Sequence, residues 1–163
     1  MSNYLLKNKL ITLDKVVEYV GDLKKEGKTV VFTNGCFDII HKGHIDYLRK
    51  SRLLGDCLII GLNSDDSIKI LKGNSRPINQ AHDRAFVLEA MDFVDYIVIF
   101  DEGTPLELIK HIKPNVYTKG GDYDLDNIIG YGIGKNIIEN YGGEVRLIPL
   151  VSDISTTAII GRT

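Results

Sequence analysis

Cys36 and Cys57 are the only two cysteines among 163 residues, too few for a disulfide framework. Neither sign of charge dominates: 20 Lys and Arg against 22 Asp and Glu leave a net charge of −2. That balance argues against a strongly basic nucleic-acid binder, so no nucleic-acid partner is expected. Long apolar runs are missing too. Stretches such as residues 96–100 are far shorter than a bilayer span. The first ten residues carry Lys7 and Lys9 but no continuous apolar region, so they do not read as a secretory signal. No membrane contact and a cytoplasmic location are expected. No low-complexity run, fixed-period repeat or linker-like stretch divides the chain, so residues 1–163 read as one domain. Two common nucleotide signatures are also lacking. There is no Walker-type loop, and Gly130-Tyr131-Gly132-Ile133-Gly134 follows no strand and lacks the dinucleotide spacing. That cluster reads as helix-breaking glycines.

What is present is an ordinary globular composition, with 44% apolar and 26% charged residues. A chain of this size buries about 70% of its surface, so neither disulfide nor metal is needed to hold a core. Short β-branched runs alternate with helical periods, the pattern of a parallel sheet with crossover helices. Strands are predicted at 29–33, 57–62, 96–100, 116–118 and 144–150. Helices are predicted from Thr12 to Gly27, from Ile45 to Gly55, and at 64–71, 82–91, 104–112, 135–141 and 156–162. In the fourth of these, Phe86, Val87 and Ala90 are expected to face inward. Thr104 to Glu107 reads as a capping box with Pro105 at the first helical position. The expected fold is α/β: a single Rossmann-like, open, parallel five-stranded sheet with helices on both faces. Such sheets bind ligands outside the carboxyl ends of their strands.

Four segments at those ends carry chemistry. In Thr33-Asn34-Gly35-Cys36-Phe37-Asp38-Ile39-Ile40-His41-Lys42-Gly43-His44, Gly35 permits a sharp exit from the strand and Gly43 a close backbone approach. His41 and His44 lie three apart at a helix start, so both rings can face one way. With the free N–H groups of the helix end they suit a phosphate. Two plain histidines, or a zinc site helped by Cys36 and Asp38, remain open from the residues alone. Ser152 to Thr157 places Ser155, Thr156 and Thr157 at a helix start, as phosphate donors or as a simple cap. Lys119 to Tyr123, just beyond the fourth strand, is expected as a turn. There Lys119 could neutralise phosphate and the glycines, Gly121 among them, could expose amides, or the segment is a solvated glycine turn. Lys69, Lys72, Arg76 and Arg84 flank the loop after the second strand, as a basic pocket or as ordinary surface charge. Cys36, among cationic neighbours, is a candidate reactive thiol or merely a small residue that fits. Cys57 reads as core.

Taken together, His41-Lys42-Gly43-His44 and Ile154-Ser155-Thr156-Thr157 resemble the two signatures of the cytidylyltransferase-like nucleotidyltransferases. Several further segments resemble the branch that makes ADP-heptose: residues 32–38, 63–65, 71–73, 76–79, 83–85 and 119–123. That activity is often the C-terminal half of a bifunctional heptose kinase/adenylyltransferase. This chain has no room for the kinase half, so it is expected to be a stand-alone form. Glycerol-3-phosphate cytidylyltransferase fits less well, because Leu150 stands where that branch has Arg and Gly121-Asp122-Tyr123 where it has Asp-Asp-Trp. Archaeal-type FAD synthetase is a weaker match, and a nucleotide-binding sensor is the non-enzymatic alternative.

The resemblance implies transfer of AMP from ATP to a heptose 1-phosphate, with Mg²⁺ accompanying the nucleotide. His41, His44, Lys72 and Lys119 are then expected at the reacting phosphates, with His44 closest to the transition state. Asn34, Gly35, Cys36, Phe37, Gly43, Asn63, Arg84, Gly121, Asp122, Ser155, Thr156 and Thr157 are expected around the nucleotide. Asp122 would reach the ribose. No residue is assigned to a protein-held metal. The expected partners are ATP and a sugar 1-phosphate, and a homodimer, common in that family, is the expected assembly.

Overall fold

The computed structural model describes residues 8–121 and 123–149. In chain order the elements are α1 (Leu13–Lys25), β1 (Val30–Gly35), α2 (Lys42–Arg52), β2 (Cys57–Asn63), α3 (Asp65–Lys72), α4 (Ala81–Glu89), β3 (Tyr96–Phe100), α5 (Leu106–Ile112), β4 (Val116–Gly120), α6 (Asn136–Glu139) and β5 (Glu144–Ile148). The five strands form one parallel sheet in the order β3-β2-β1-β4-β5. The chain winds outward from β1 through β2 to β3, then returns to lay β4 on the other side of β1. The order therefore reverses between β1 and β4, and a crevice opens beyond their carboxyl ends.

Strands covered on both faces read as unbroken apolar runs. Every residue of β2 is buried. Because successive side chains alternate, Phe32, Ile59 and Tyr117 enter one core with Val16 and Val20 of α1 and Leu108 and Ile109 of α5. Val31, Leu58 and Ile60 enter the other, with Leu48 of α2 and Leu88 of α4. Thr12 caps α1 by accepting from the Lys15 amide, and Ser64 caps α3 by accepting from Ser67. At Gly55 a Cβ would stand 2.7 Å from the Thr29 carbonyl oxygen, so only glycine lets that loop pass the start of β1.

Several expectations are corrected. β1 runs two residues past Thr33, and β4 extends through Lys119 and Gly120, which pair with Leu147 and Ile148 of β5 rather than forming a turn. The helix expected at 135–141 is a single turn. The capping box does not form as drawn: the helix starts at Leu106, Thr104 approaches the Leu106 amide at 3.5 Å, and Glu107 pairs with Lys110 instead of reaching back. Ile45 is 39% exposed, while Tyr47 and Leu48 carry the inner face of α2. On α4, Phe86 is 66% and Val87 47% exposed, and Ala90 is exposed as well. The inward face is Ala81, Arg84, Ala85 and Leu88, because the hydrogen bonds of Arg84 turn that side toward the sheet. The glycine cluster at 130–134 breaks no helix. It closes a tight turn in which Gly130 bridges to Ile133. The expected last helix, with Ser155, Thr156 and Thr157, lies outside the described residues, as do Asp122 and Leu150.

Candidate active site

The segment from β1 to α2 supplies the centre of the site. Gly35 ends β1 with the Phe37 ring packed against it, where a Cβ would sit 3.0 Å from that ring. Phe37 itself takes a φ of 45°, the left-handed region that turns the chain toward α2. His41 is the N-cap of α2, and its Nδ1 accepts from the Gly43 amide at 3.1 Å. That bond fixes the neutral ring with its proton on Nε2. His44 lies beside it, with ring centroids 3.9 Å apart, and Phe37 covers His44 at 5.3 Å. Burial lowers the pKa of His41. Burial, and then the proximity of His41 and Lys72, brings His44 down to about 4. His44 is therefore neutral at pH 7. Its Nδ1 is buried without a hydrogen-bond partner among the described residues.

The opposite side of the crevice is built from β1 and β4. Tyr117 is fully buried and donates its hydroxyl to Asn34 Oδ1 at 2.7 Å. Lys119, half-buried, stands 5.8 Å above the Tyr117 ring and 5.5 Å above that of Tyr123. Burial pulls its pKa down to about 8, and the nearby Cys36 thiol works in the other direction. Gly121 does not offer its amide to a ligand as expected. That N–H donates to the Ile148 carbonyl at 3.0 Å.

Two networks that sequence reasoning missed hold these groups in place. In the first, Thr33 Oγ1, Tyr47 OH, Thr118 Oγ1 and Ser51 Oγ are joined by hydrogen bonds of 2.5–3.1 Å, so α2 is pinned to β1 and β4. In the second, Asp38, 3% exposed, accepts from Arg76 Nε at 2.6 Å and from the Ile78 and Asn79 amides at 2.9 Å. Burial alone would raise the pKa of this carboxyl, but those amides and Arg76 hold it below the usual carboxylate value. The loop after α3 is thereby fastened to the loop after β1. The signal in sequence was the run Arg76-Pro77-Ile78-Asn79 facing a lone Asp, legible only once the two loops were known to meet.

Arg84 belongs to this second network rather than to the free cations. It is 1% exposed and donates to the carbonyls of Asn79, Cys36 and Asn63 and to Asp65 Oδ1, at 2.6–2.9 Å. Four of its five N–H donors are thus engaged within the protein. Asn63, also expected at the nucleotide, is 3% exposed and gives its amide nitrogen to Ser67 Oγ at 2.8 Å. The site thus brings together His41, His44 and Lys72, with Asn34, Cys36 and Lys119 across the crevice. Arg84 and Asn63 stand behind it. Among the described residues, no three His, Cys, Asp or Glu side chains gather to hold a metal ion. The nearby carboxylates Asp38 and Asp65 are committed to Arg76 and Arg84. A hard divalent cation here would take its oxygens from a bound polyphosphate and water.

Comparison with known proteins gives a consistent picture. The cytidylyltransferase-like family matches residues 32–162. The bifunctional protein HldE of Syntrophotalea carbinolica is 54% identical over 139 residues, which cover 85% of this chain and 28% of that protein. The protein of the same name from Geobacter sulfurreducens is 49% identical over 152 residues, covering 93% and 30%. The chain thus spans under a third of the length of these relatives. Among solved structures, the lipopolysaccharide core biosynthesis protein from Thermoplasma volcanium GSS1 superposes with a TM-score of 0.59 and 26% identity, over 78% of this chain and all of that one. Pantoate-beta-alanine ligase from Francisella tularensis, complexed with an ATP analogue and beta-alanine, gives 0.60 over 93% of this chain and 75% of that one. At 14% identity it bears on the fold alone.

Proposed function

The chain belongs to the cytidylyltransferase-like family, and from that membership we propose that it transfers AMP from ATP to a manno-heptose 1-phosphate, releasing pyrophosphate and ADP-heptose. The observation that carries this reading is the close pair of tilted rings, His41 and His44, at the N-terminus of α2, beside the reversal point of the strand order. The similarity to relatives named bifunctional protein HldE, and to a lipopolysaccharide core biosynthesis protein, supports the sugar-phosphate branch.

An oxygen of the sugar phosphate attacks the α-phosphorus. The new P–O bond forms as the bridging bond to the β-phosphate breaks, and pyrophosphate leaves with the electron pair. The nucleophile is already ionised, so no general base is required. The protein positions two polyanions and meets the charge that grows on the α-phosphoryl oxygens. His41 and His44 are neutral rings that offer N–H donors, and the dipole at the N-terminus of α2 adds to them. Lys72 and Lys119 supply positive charge, and Arg84 ties together the chain ends of β1 and β2 through the Cys36 and Asn63 carbonyls. Asn34, Gly35, Cys36, Phe37 and Gly43 line the nucleotide side. Asp122, Ser155, Thr156 and Thr157 complete it in this reading. Magnesium enters as part of the substrate, MgATP. A homodimer working in the cytoplasm completes the proposal, and sedimentation equilibrium tests the assembly.

The deciding experiment is a matrix of four nucleoside triphosphates against several sugar and polyol phosphates, scored by pyrophosphate release. ATP with a manno-heptose 1-phosphate is expected to be the best pair. A clear win for CTP with glycerol 3-phosphate would overturn the substrate assignment and leave the family intact. Nucleotide binding without pyrophosphate release from any pair would mark a sensor.

A further inference from the structure

We infer that Tyr117 is a positioning residue for two ligand-facing groups at once: its hydroxyl sets the orientation of the Asn34 amide, and its ring seats Lys119. The inference rests on the crevice being the substrate site. Tyr117 lies on β4 directly beside Phe32 of β1, with no exposed surface. Its hydroxyl has one hydrogen-bond partner among the described residues, Asn34 Oδ1 at 2.7 Å. A carboxamide has one acceptor end and one donor end. With the acceptor end turned to a buried phenol, the NH₂ is the end left for the crevice. Were the amide reversed, its NH₂ would donate to the phenol oxygen and leave the buried O–H without an acceptor among the described residues, so the hydroxyl disfavours that rotamer. Burial raises the phenol's pKa well above 10, which keeps it a donor throughout the working range.

The same ring lies 5.8 Å below the Lys119 ammonium. A cation over an aromatic face is held without any of its three N–H donors being used up. Asn34 and Lys119 thus present donors from adjacent strands, both fixed by one side chain that itself touches no ligand. Their common target is an anionic or hydroxyl oxygen, of the nucleotide or of the sugar phosphate.

Double-mutant cycles test this, run on the dissociation constants of ATP and of a manno-heptose 1-phosphate and on kcat. Tyr117→Phe keeps the ring and loses only the hydroxyl. It should weaken one of the two ligands about tenfold, change kcat less than threefold, and leave the thermal midpoint near that of the wild type. Which ligand weakens tells whose oxygen Asn34 meets. Asn34→Ala should have a similar effect, and the double variant Tyr117→Phe/Asn34→Ala should be no worse than either single one. Tyr117→Phe with Lys119→Ala should instead multiply, because the phenylalanine ring still seats the lysine. Tyr117→Leu with Lys119→Ala should fall short of the full product, because the part of the leucine effect that comes through the ring is already lost with the lysine. Fully multiplicative effects of Tyr117→Phe and Asn34→Ala overturn the inference, as does unchanged affinity for both ligands in Tyr117→Phe. Should Tyr117→Phe unfold, the orientation of the Asn34 amide is read in the wild type from NOEs of its side-chain NH₂: an NH₂ turned away from the Tyr117 hydroxyl end is expected, and strong NOEs from it to the adjacent Tyr117 ring protons overturn the inference. Wild-type protein that binds both ligands without turnover would sink the activity while the binding cycles still decide the role of Tyr117.

Discussion

His44 is kept neutral by burial and by the proximity of His41 and Lys72, with a pKa of about 4. A neutral imidazole still carries one N–H to donate to the α-phosphoryl oxygens, and that donation strengthens as charge builds toward the transition state. His44→Ala should therefore lower kcat by about 10²–10³, the usual loss for one such donor, while ATP affinity stays within several-fold. A variant that turns over at the wild-type rate removes this residue from the mechanism. Lys119 gives a prediction in pH. It is a cation below its pKa of about 8 and loses its charge as pH rises through that value. The kcat/KM profile, which reports the free enzyme, should fall above about pH 8. The groups that face Lys119 are Cys36, Tyr117 and Tyr123. Lys119→Arg, which stays charged, should carry the plateau well past pH 9. An alkaline limb that ignores this substitution assigns it to another group. The histidine pair was legible because its geometry is local, two rings three residues apart at a helix start. Arg84 was not. Its role depends on Cys36, Asn63, Asp65 and Asn79, which only the fold brings together, and an arginine in a basic stretch reads as a free cation until its partners are known.

At the scale of elements, α2 carries both histidines, so whatever fixes α2 fixes the site. Its inner face does more than bury Leu48. Tyr47 and Ser51, one turn apart, meet Thr33 of β1 and Thr118 of β4 in a closed set of hydroxyls with no exposed member. Removing one hydroxyl leaves buried partners short of a bond, a loss of roughly 1–3 kcal/mol. Tyr47→Phe should lower the unfolding free energy in urea by about that amount, without a change in the denaturant slope. An equally stable variant would mean that the hydroxyls rearrange freely and do not pin the helix. The sequence pattern predicted a helix from Ile45 but could not assign the polar contacts of Tyr47 and Ser51, since hydroxyls on two strands and a helix share no spacing rule. α4 shows the opposite failure. Its apolar residues fall on two sides, and counting Phe86 and Val87 as core assumed that Arg84 must point to solvent. A buried arginine with four satisfied donors outweighs two exposed apolar side chains, because an unpartnered buried guanidinium costs several kcal/mol.

For the whole molecule, the alternation of strands and helices was enough to read a parallel five-stranded sheet, since parallel pairing demands crossovers and crossovers are right-handed. The order β3-β2-β1-β4-β5 was not readable, because nothing in a strand's own residues says which neighbour it will take. That order sets β4 beside β1, which brings Lys119 and Asn34 onto neighbouring strands at the end of the sheet where α2 begins. The two networks tie the loops at this end of the sheet to α2, α3 and α4. A ligand bound there contacts much of the fold and should stabilise it as a unit. Binding to the native state alone adds RT ln(1 + [L]/Kd), about 2.7 kcal/mol at a hundredfold excess over Kd. For a chain of this length each kcal/mol moves the midpoint by about 2–4 °C, so saturating MgATP should raise it by about 5–10 °C. CTP at the same concentration should raise it less. His44→Ala should keep most of the shift, because its donor acts chiefly on the transition state. A midpoint indifferent to MgATP would remove ATP from the proposal. A shift lost entirely in His44→Ala would move that residue from transition-state stabilisation to ground-state binding.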